Sequence, residues 1–341
     1  MSINDDGLNS TIVGSFPLQN MQENMARTIL DQASLGIDYI CYGQLESMIS
    51  QFLTPLSLEI SPLVEEKGIY LLSDDFKIPN TPIAVHYGEY LTKLANEHED
   101  LFRDIKGLKA CLTGPFTLAS EIILRGDLAK GLKALVFKEP RAIMVDWIID
   151  KLADIMKQVG KAYSDMGINL ISMDEPILSL LVGKRILFHS EEFIIRILNK
   201  AISGIEELSS IHVCGQISPK LRDLLLQTEV NILDHEFQTS PKNLEIFQKQ
   251  HFNTENKYLA YGAVRTKFQK IEGASVSEYV EPIPTIKRNI EKVADIYGKE
   301  NLFIKPDCGF LSLRDSFEEE FAYQIAIKKL QNMVSAIKIV R

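Results

Sequence analysis

A chain of 341 residues, 45% hydrophobic and 24% charged, has ample material for a large buried core. A net charge of −9 argues against nucleic acid or an anionic membrane surface as the main partner. No run reaches the roughly 18 apolar residues of a membrane span, and the polar, acidic opening MSINDDGLNS has no signal-peptide core, so a cytoplasmic protein is expected.

Taken in chain order, short apolar runs alternate with longer amphipathic stretches. Strands are expected at Thr11–Phe16, Tyr39–Gln44, Leu108–Thr113, Leu170–Asp174, Ser210–Cys214, Val230–Glu236, Tyr258–Val264 and Leu302–Lys305. Most are nearly continuous apolar runs, as in parallel strands covered on both faces. The clearest helical patterns are Gln19–Leu35, Arg141–Met166, Glu191–Ile202, Pro219–Gln227, Ile283–Tyr297 and Ser316–Ile337. This alternation predicts a (β/α)8 TIM barrel forming a single catalytic domain over 1–341. Two segments interrupt the rhythm. Thr54–Glu89, rich in proline, reads as an insertion between strands two and three, with a hairpin over one barrel end. Lys267–Glu281, polar and containing Gly273, reads as a mobile loop.

The unusual polar residues fall at or just after strand ends: Ser15, Gln44, Thr113, Asp174, His212, Cys214, Glu236, Arg265 and Cys308. In an eight-stranded barrel those ends share one face, where active sites sit. IHVCG places His212 and Cys214 two residues apart, on the same side of a strand. The next strand ends in DHEF, supplying Glu236, and the last in PDCGF, supplying Cys308. One imidazole, two thiolates and one carboxylate can fill a tetrahedral zinc shell, and sulfur favours zinc over magnesium or calcium. The chain has four cysteines, too few for a disulfide scaffold. Cys41 and Cys111 lie within strands and read as buried packing. His86, His98, His189 and His251 lie away from the strand ends, and His235 should face opposite to Glu236 and pack.

The ordered motifs TIVGSFP, LTGPFTLA, ISMDEPIL, IHVCG and KPDCGF resemble the C-terminal catalytic half of cobalamin-independent methionine synthase. They look most like its short, single-barrel relatives of archaeal type, and they run from about residue 11 to residue 310. The resemblance implies a zinc-dependent methyltransferase that methylates the thiol of homocysteine to form methionine. His212, Cys214, Glu236 and Cys308 take the ligand positions, with Glu236 as the exchangeable one. Ser15 and neighbouring N–H groups would hold the substrate carboxylate, and Asp174 of the DEP motif its ammonium. Glu175 suits a capping role for the following helix.

Three departures bear on substrate and donor. Where the long enzymes carry a second ammonium-binding glutamate, YGQLE offers Gln44, with Glu46 two residues later. The folate-stacking tryptophan is missing, Glu121 standing near its position; the single tryptophan, Trp147, reads as helix core. VRTK replaces the usual acid and histidine after strand seven, leaving Arg265 as a possible catalytic group beside Lys267. Together with the lack of the long enzymes' N-terminal half, these point to methylcobalamin or a methylated corrinoid protein as donor rather than methyltetrahydrofolate. Two alternatives stand beside this reading. One is alkyl or methyl transfer to another thiol such as coenzyme M, with Arg265 and Lys267 meeting its sulfonate. The other is a zinc-stabilised binding protein without turnover.

Overall fold

The computed structural model describes residues 7–134, 136–255 and 257–341; the first six residues of the polar N-terminal segment lie outside them. Eight parallel strands form one sheet: β1 (Asn9–Ser10), β2 (Tyr39–Cys41), β3 (Gly107–Thr113), β4 (Leu170–Asp174), β5 (Leu208–Val213), β6 (Ile232–His235), β7 (Tyr258–Val264) and β8 (Leu302–Pro306). Their order is β1-β8-β7-β6-β5-β4-β3-β2. Beyond β1 the chain closes the ring against β2 through parallel bridges from Thr11 to Tyr39 and from Ser15 to Gln44. The result is a (β/α)8 barrel, as expected from the alternation of elements.

Strands β4 and β7 fall where their apolar runs predict, residue for residue. The first strand does not. Its ladder to β8 is made by Asn9 and Ser10, and the TIVGSFP motif lies wholly beyond it, held by bridges at Thr11 and Ser15. Side chains explain the shift: Ser10 donates to Asp38, and Thr11 Oγ1 bonds the Tyr39 carbonyl, so polar residues fix the register before the apolar run begins. Arg141–Met166 is likewise trimmed to a helix over Asp146–Asp165, preceded by a 3-10 turn at Ala142–Met144.

The insertion does contain a hairpin, Leu63–Glu66 against Ile69–Leu72, extended by a parallel strand at Ile122–Leu124. It is not all loop and hairpin, however. A helix over Ser50–Glu59 carries Pro55 inside it, and another begins at His86. The Lys267–Glu281 segment is tethered rather than loose. A capping box at Ser275 closes a 3-10 turn over Val276–Tyr279. The Tyr279 hydroxyl bonds both backbone groups of Ile271, and its buried ring packs against Phe268, Phe317 and Phe321. Aromatic burial on this scale holds a segment that glycine content alone suggests is free.

The barrel interior changes character along its axis. Tyr39, Leu170, Ile232, Ala260 and Phe303 form an apolar plug low in the barrel. Above it lie Lys109, Ser172, Ser210, Asp234 and Lys305, all buried. Lys305 pairs with Asp234, and Lys109 donates to the Ile12 carbonyl; charges enclosed this deeply persist only when satisfied in such ways, and these contacts set the floor of the site.

Candidate metal centre and substrate cavity

His212 occupies the penultimate position of β5, and Cys214 follows the strand end. Cys308 follows β8 by two residues. Their donor atoms gather within 4.8 Å of one another. Nε2 of His212 is 3.0 Å from Sγ of Cys214, which is 3.5 Å from Sγ of Cys308. Zinc–sulfur and zinc–nitrogen bond lengths imply separations of about 3.5–3.8 Å around a tetrahedral ion, so small outward movements of these side chains suit zinc. The soft donor set fits the same ion.

The support beneath His212 is buried and ionic. Asp234 on β6 pairs in register with His212, and its Oδ1 lies 2.6 Å from His212 Nδ1 and 2.6 Å from Lys305 Nζ. The carboxylate holds the proton on Nδ1 and turns Nε2 toward the sulfurs, the arrangement that metal-binding histidines require. Burial opposes ionisation of Asp234, but Lys305 and His212 outweigh it and hold the carboxyl well below its ordinary range. In the thiol pair, contact with Cys308, together with burial, pushes the Cys214 thiol up. Cys308 is held well below the ordinary thiol range by that same contact and by His212, against burial.

The fourth expected ligand is placed differently. Glu236 lies outside the three-donor cluster. Its Oε2 accepts the Gly215 N–H at 3.0 Å, and its Oε1 is 3.1 Å from Lys267 Nζ. Gly215 has φ of +83°, a left-handed turn natural for glycine directly after Cys214. Asn243 clamps both loops by donating to the carbonyls of Gly215 and Glu236, while Asp307 accepts N–H groups of Phe237, Gln238 and Thr239.

A cavity of about 340 Å³ opens over the cluster, lined by Ser15, Gln44, Asp174, His212, Cys214, Lys267, Cys308 and Arg314 among others. Asp174 ends β4, is 7% exposed, and its Oδ1 has no hydrogen-bond partner among the described residues. Burial pushes its pKa up to about 7, and a cation arriving there would restore the charge. Ser15 Oγ is within hydrogen-bond reach of the Leu311 N–H, at 3.4 Å. Gln44 lines the cavity but gives its amide to Gln51 at 2.6 Å.

Other expected residues lie elsewhere. Glu46 accepts the Tyr87 hydroxyl at 2.5 Å and is absent from the cavity lining. Arg265 is exposed and outside the lining, its N–H held by Glu281, whereas Lys267 faces the cavity. Glu175 caps a helix, but the one over Pro115–Glu121 rather than the one that follows it, by accepting the Phe116 and Thr117 N–H groups. Gly114 permits this: a Cβ there would sit 2.1 Å from the Glu175 carboxyl carbon. His235 packs, its ring stacked on Phe247. Sequence reasoning missed Asp234, Lys305, Asn243 and Arg314. For Asp234 the available signal was a charge inside an apolar strand two residues before Glu236.

A parallel (β/α)8 barrel with its polar residues gathered at the C-terminal mouth has the architecture of a barrel enzyme, and the imidazole–dithiol cluster there has donors whose chemistry fits a soft metal ion. The chain belongs to the family described as cobalamin-independent synthase, catalytic domain, which it matches over residues 16–339. It is an enzyme of the methyltransferase class. It is similar to the methionine synthase of Methanothermobacter marburgensis, 29% identical over 96% of this chain and 98% of that protein. The methionine synthase of Methanocaldococcus jannaschii is 24% identical over 97% and 99%. Among solved structures, a B12-independent methionine synthase from a Shewanella species, in complex with selenomethionine, superposes with a TM-score of 0.67 at 15% identity, covering 98% of this chain and 97% of that one. A methyltransferase from Methanosarcina mazei gives 0.61 at 14% identity, covering 99% and 95%. At such identities these structures attest the fold.

Proposed function

We propose that this chain is a zinc-dependent methyltransferase, acting in the cytoplasm as one barrel domain over 1–341. It passes a methyl group from methylcobalamin or a methylated corrinoid protein to homocysteine, forming methionine. The observation that carries this reading is the shared cavity: His212, Cys214 and Cys308 line it, and the buried oxygen of Asp174 that has no partner among the described residues belongs to the same lining. A thiol with an ammonium group answers both features. The family and the archaeal methionine synthases similar to this chain support the same acceptor.

Zinc held by His212, Cys214 and Cys308 supplies Lewis acidity that lowers the pKa of a thiol and keeps its sulfur nucleophilic near neutral pH. The chain's own residues do the rest. Asp174 takes the substrate ammonium, and Ser15 with adjacent N–H groups takes its carboxylate. Asp234 keeps His212 in the required tautomer. Lys267 and Arg314 bring positive charge to the cavity lining, which suits an anionic substrate group. That cationic pair would also suit coenzyme M, but a sulfonate gives Asp174 no partner, so homocysteine is the better fit.

For the donor, none of the described residues lining the cavity is a phenylalanine, tyrosine or tryptophan. A pterin ring stacks on an aromatic face, whereas a cobalt-bound methyl needs only access to the sulfur. The corrinoid is a donor that arrives and leaves, so the chain needs no cobalamin of its own. The test is a paired assay with the methyl group labelled on methylcobalamin or on methyltetrahydrofolate, with homocysteine as acceptor. Labelled methionine is expected from methylcobalamin. Label arriving from the folate alone overturns the donor, and no methionine from either donor overturns the acceptor.

A further inference from the structure

Among the described residues the Glu236 carboxylate has two partners, and neither belongs to the donor cluster. One is the Gly215 N–H at 3.0 Å and the other Lys267 Nζ at 3.1 Å. The Glu236 side chain is 2% exposed and that of Lys267 is 52% exposed. The cation therefore reaches inward from the mouth onto an enclosed carboxylate. Lys267 also lines the cavity with His212, Cys214 and Cys308. A carboxylate buried this completely is costly to leave without a partner, so Glu236 has a choice between two sources of positive charge: an ion at the cluster, or Lys267.

Charge decides how that choice is used. Two cysteinates and Glu236 together carry three negative charges against two positive on zinc. Exchanging Glu236 for a substrate thiolate keeps that sum but strands a buried carboxylate unless a cation receives it. Resting on the function proposed above, we propose that Lys267 is a positioning residue that holds Glu236 off the donor cluster, freeing the position a substrate thiol takes. The exchange moves one carboxylate and one thiolate, releases the thiol proton to solvent and changes no oxidation state. It gives VRTK a purpose: the lysine, two residues after the exposed Arg265, is the one aimed at the site.

The proposal predicts opposite effects on two ligands. With Lys267 removed, Glu236 stays with the ion. Zinc should then bind Lys267→Met about five- to tenfold more tightly than wild type, and homocysteine should bind the zinc-loaded variant about five- to tenfold more weakly, since apparent affinity scales with the fraction of chains in the competent state. Zinc affinity is read by competition with a chromophoric chelator, and homocysteine affinity by calorimetry. Lys267→Arg should stay near wild type. In a Glu236→Gln background, adding Lys267→Met should leave zinc affinity unchanged, because the carboxylate being positioned is gone.

Unchanged zinc affinity in Lys267→Met overturns the proposal. So does weaker zinc binding, the mark of a merely structural lysine. An equal gain in the Glu236→Gln background also overturns it, since the lysine would then act on the ion by charge alone. The proposed reaction fails separately: absence of methionine formation beside an intact zinc-affinity cycle refutes the reaction and leaves the Lys267 assignment standing.

Discussion

Two pairs of cysteines sit in the same barrel at nearly the same spacing and have different chemistry. Cys41 and Cys111, on β2 and β3, bring their sulfurs to 3.7 Å. Cys214 and Cys308, beyond β5 and β8, bring theirs to 3.5 Å. The first pair is sealed, at 0% and 2% exposure. Its backbone is tied by Gln32 on both sides of Cys41, and Cys111 donates to the Val13 carbonyl. The second pair is partly buried, shares a cavity, and has the His212 imidazole 3.0 Å from one sulfur. Sulfur spacing alone does not make a metal site. For the proposed zinc site, an imidazole aimed by a buried carboxylate and an opening to solvent make the difference, and among the described residues only the second pair has them.

The largest effects should come from removing donors. Cys308→Ser and His212→Ala should each lower zinc affinity by at least about 100-fold, while Cys41→Ala and Cys111→Ala keep the wild-type zinc content. Metal analysis after dialysis against a chelator reads all four. Full zinc retention in both donor variants, or zinc loss in Cys41→Ala, breaks the comparison.

The cavity above the second pair can be tested through Asp174. A charge-assisted hydrogen bond in such a site contributes roughly 1.5–3 kcal/mol, so Asp174→Asn should raise the KM for homocysteine about 10- to 150-fold. An unchanged KM removes Asp174 from substrate binding and favours a thiol without an ammonium group.

The support under His212 comes next. Asp234→Asn keeps the shape but loses the charge that aims the imidazole, and zinc affinity should fall about 10- to 100-fold. Equal affinity would mean that packing alone orients the ring. Smallest is the effect within the sealed pair. Cys111→Ala should lower unfolding free energy by about 1–2 kcal/mol in a denaturant titration, with no change in zinc affinity. A fall in zinc affinity beyond the stability loss would couple the two pairs.

Much of this was legible in the sequence because strand ends in a barrel converge. His212, Cys214 and Cys308 were found by their position just at or past apolar runs, and the Cys41 and Cys111 pair was set aside because it lies within such runs. β4 and β7 could be read residue for residue since every position in them but Tyr258 is buried. What escaped depends on neighbours across the barrel. Lys305 and Asp234 lie on strands separated by β7, and no local pattern announces their ion pair. Arg265 and Lys267 stand two apart in one polar stretch, and only the course of the chain after β7 shows that the lysine faces the cavity. β1 was misplaced because Asn9 and Ser10, both polar, make its ladder, while the apolar TIVGSFP run beside it is held by isolated bridges.

The central claim is that the imidazole–dithiol cluster binds zinc in order to bind and activate a thiol. Its most direct test is equilibrium binding of homocysteine to zinc-loaded protein and to the same protein stripped with a chelator. The account expects binding to the loaded protein with release of about one proton, and affinity at least about 100-fold weaker after stripping, restored by adding zinc back. Equal affinity with and without zinc, or binding without proton release, would contradict it.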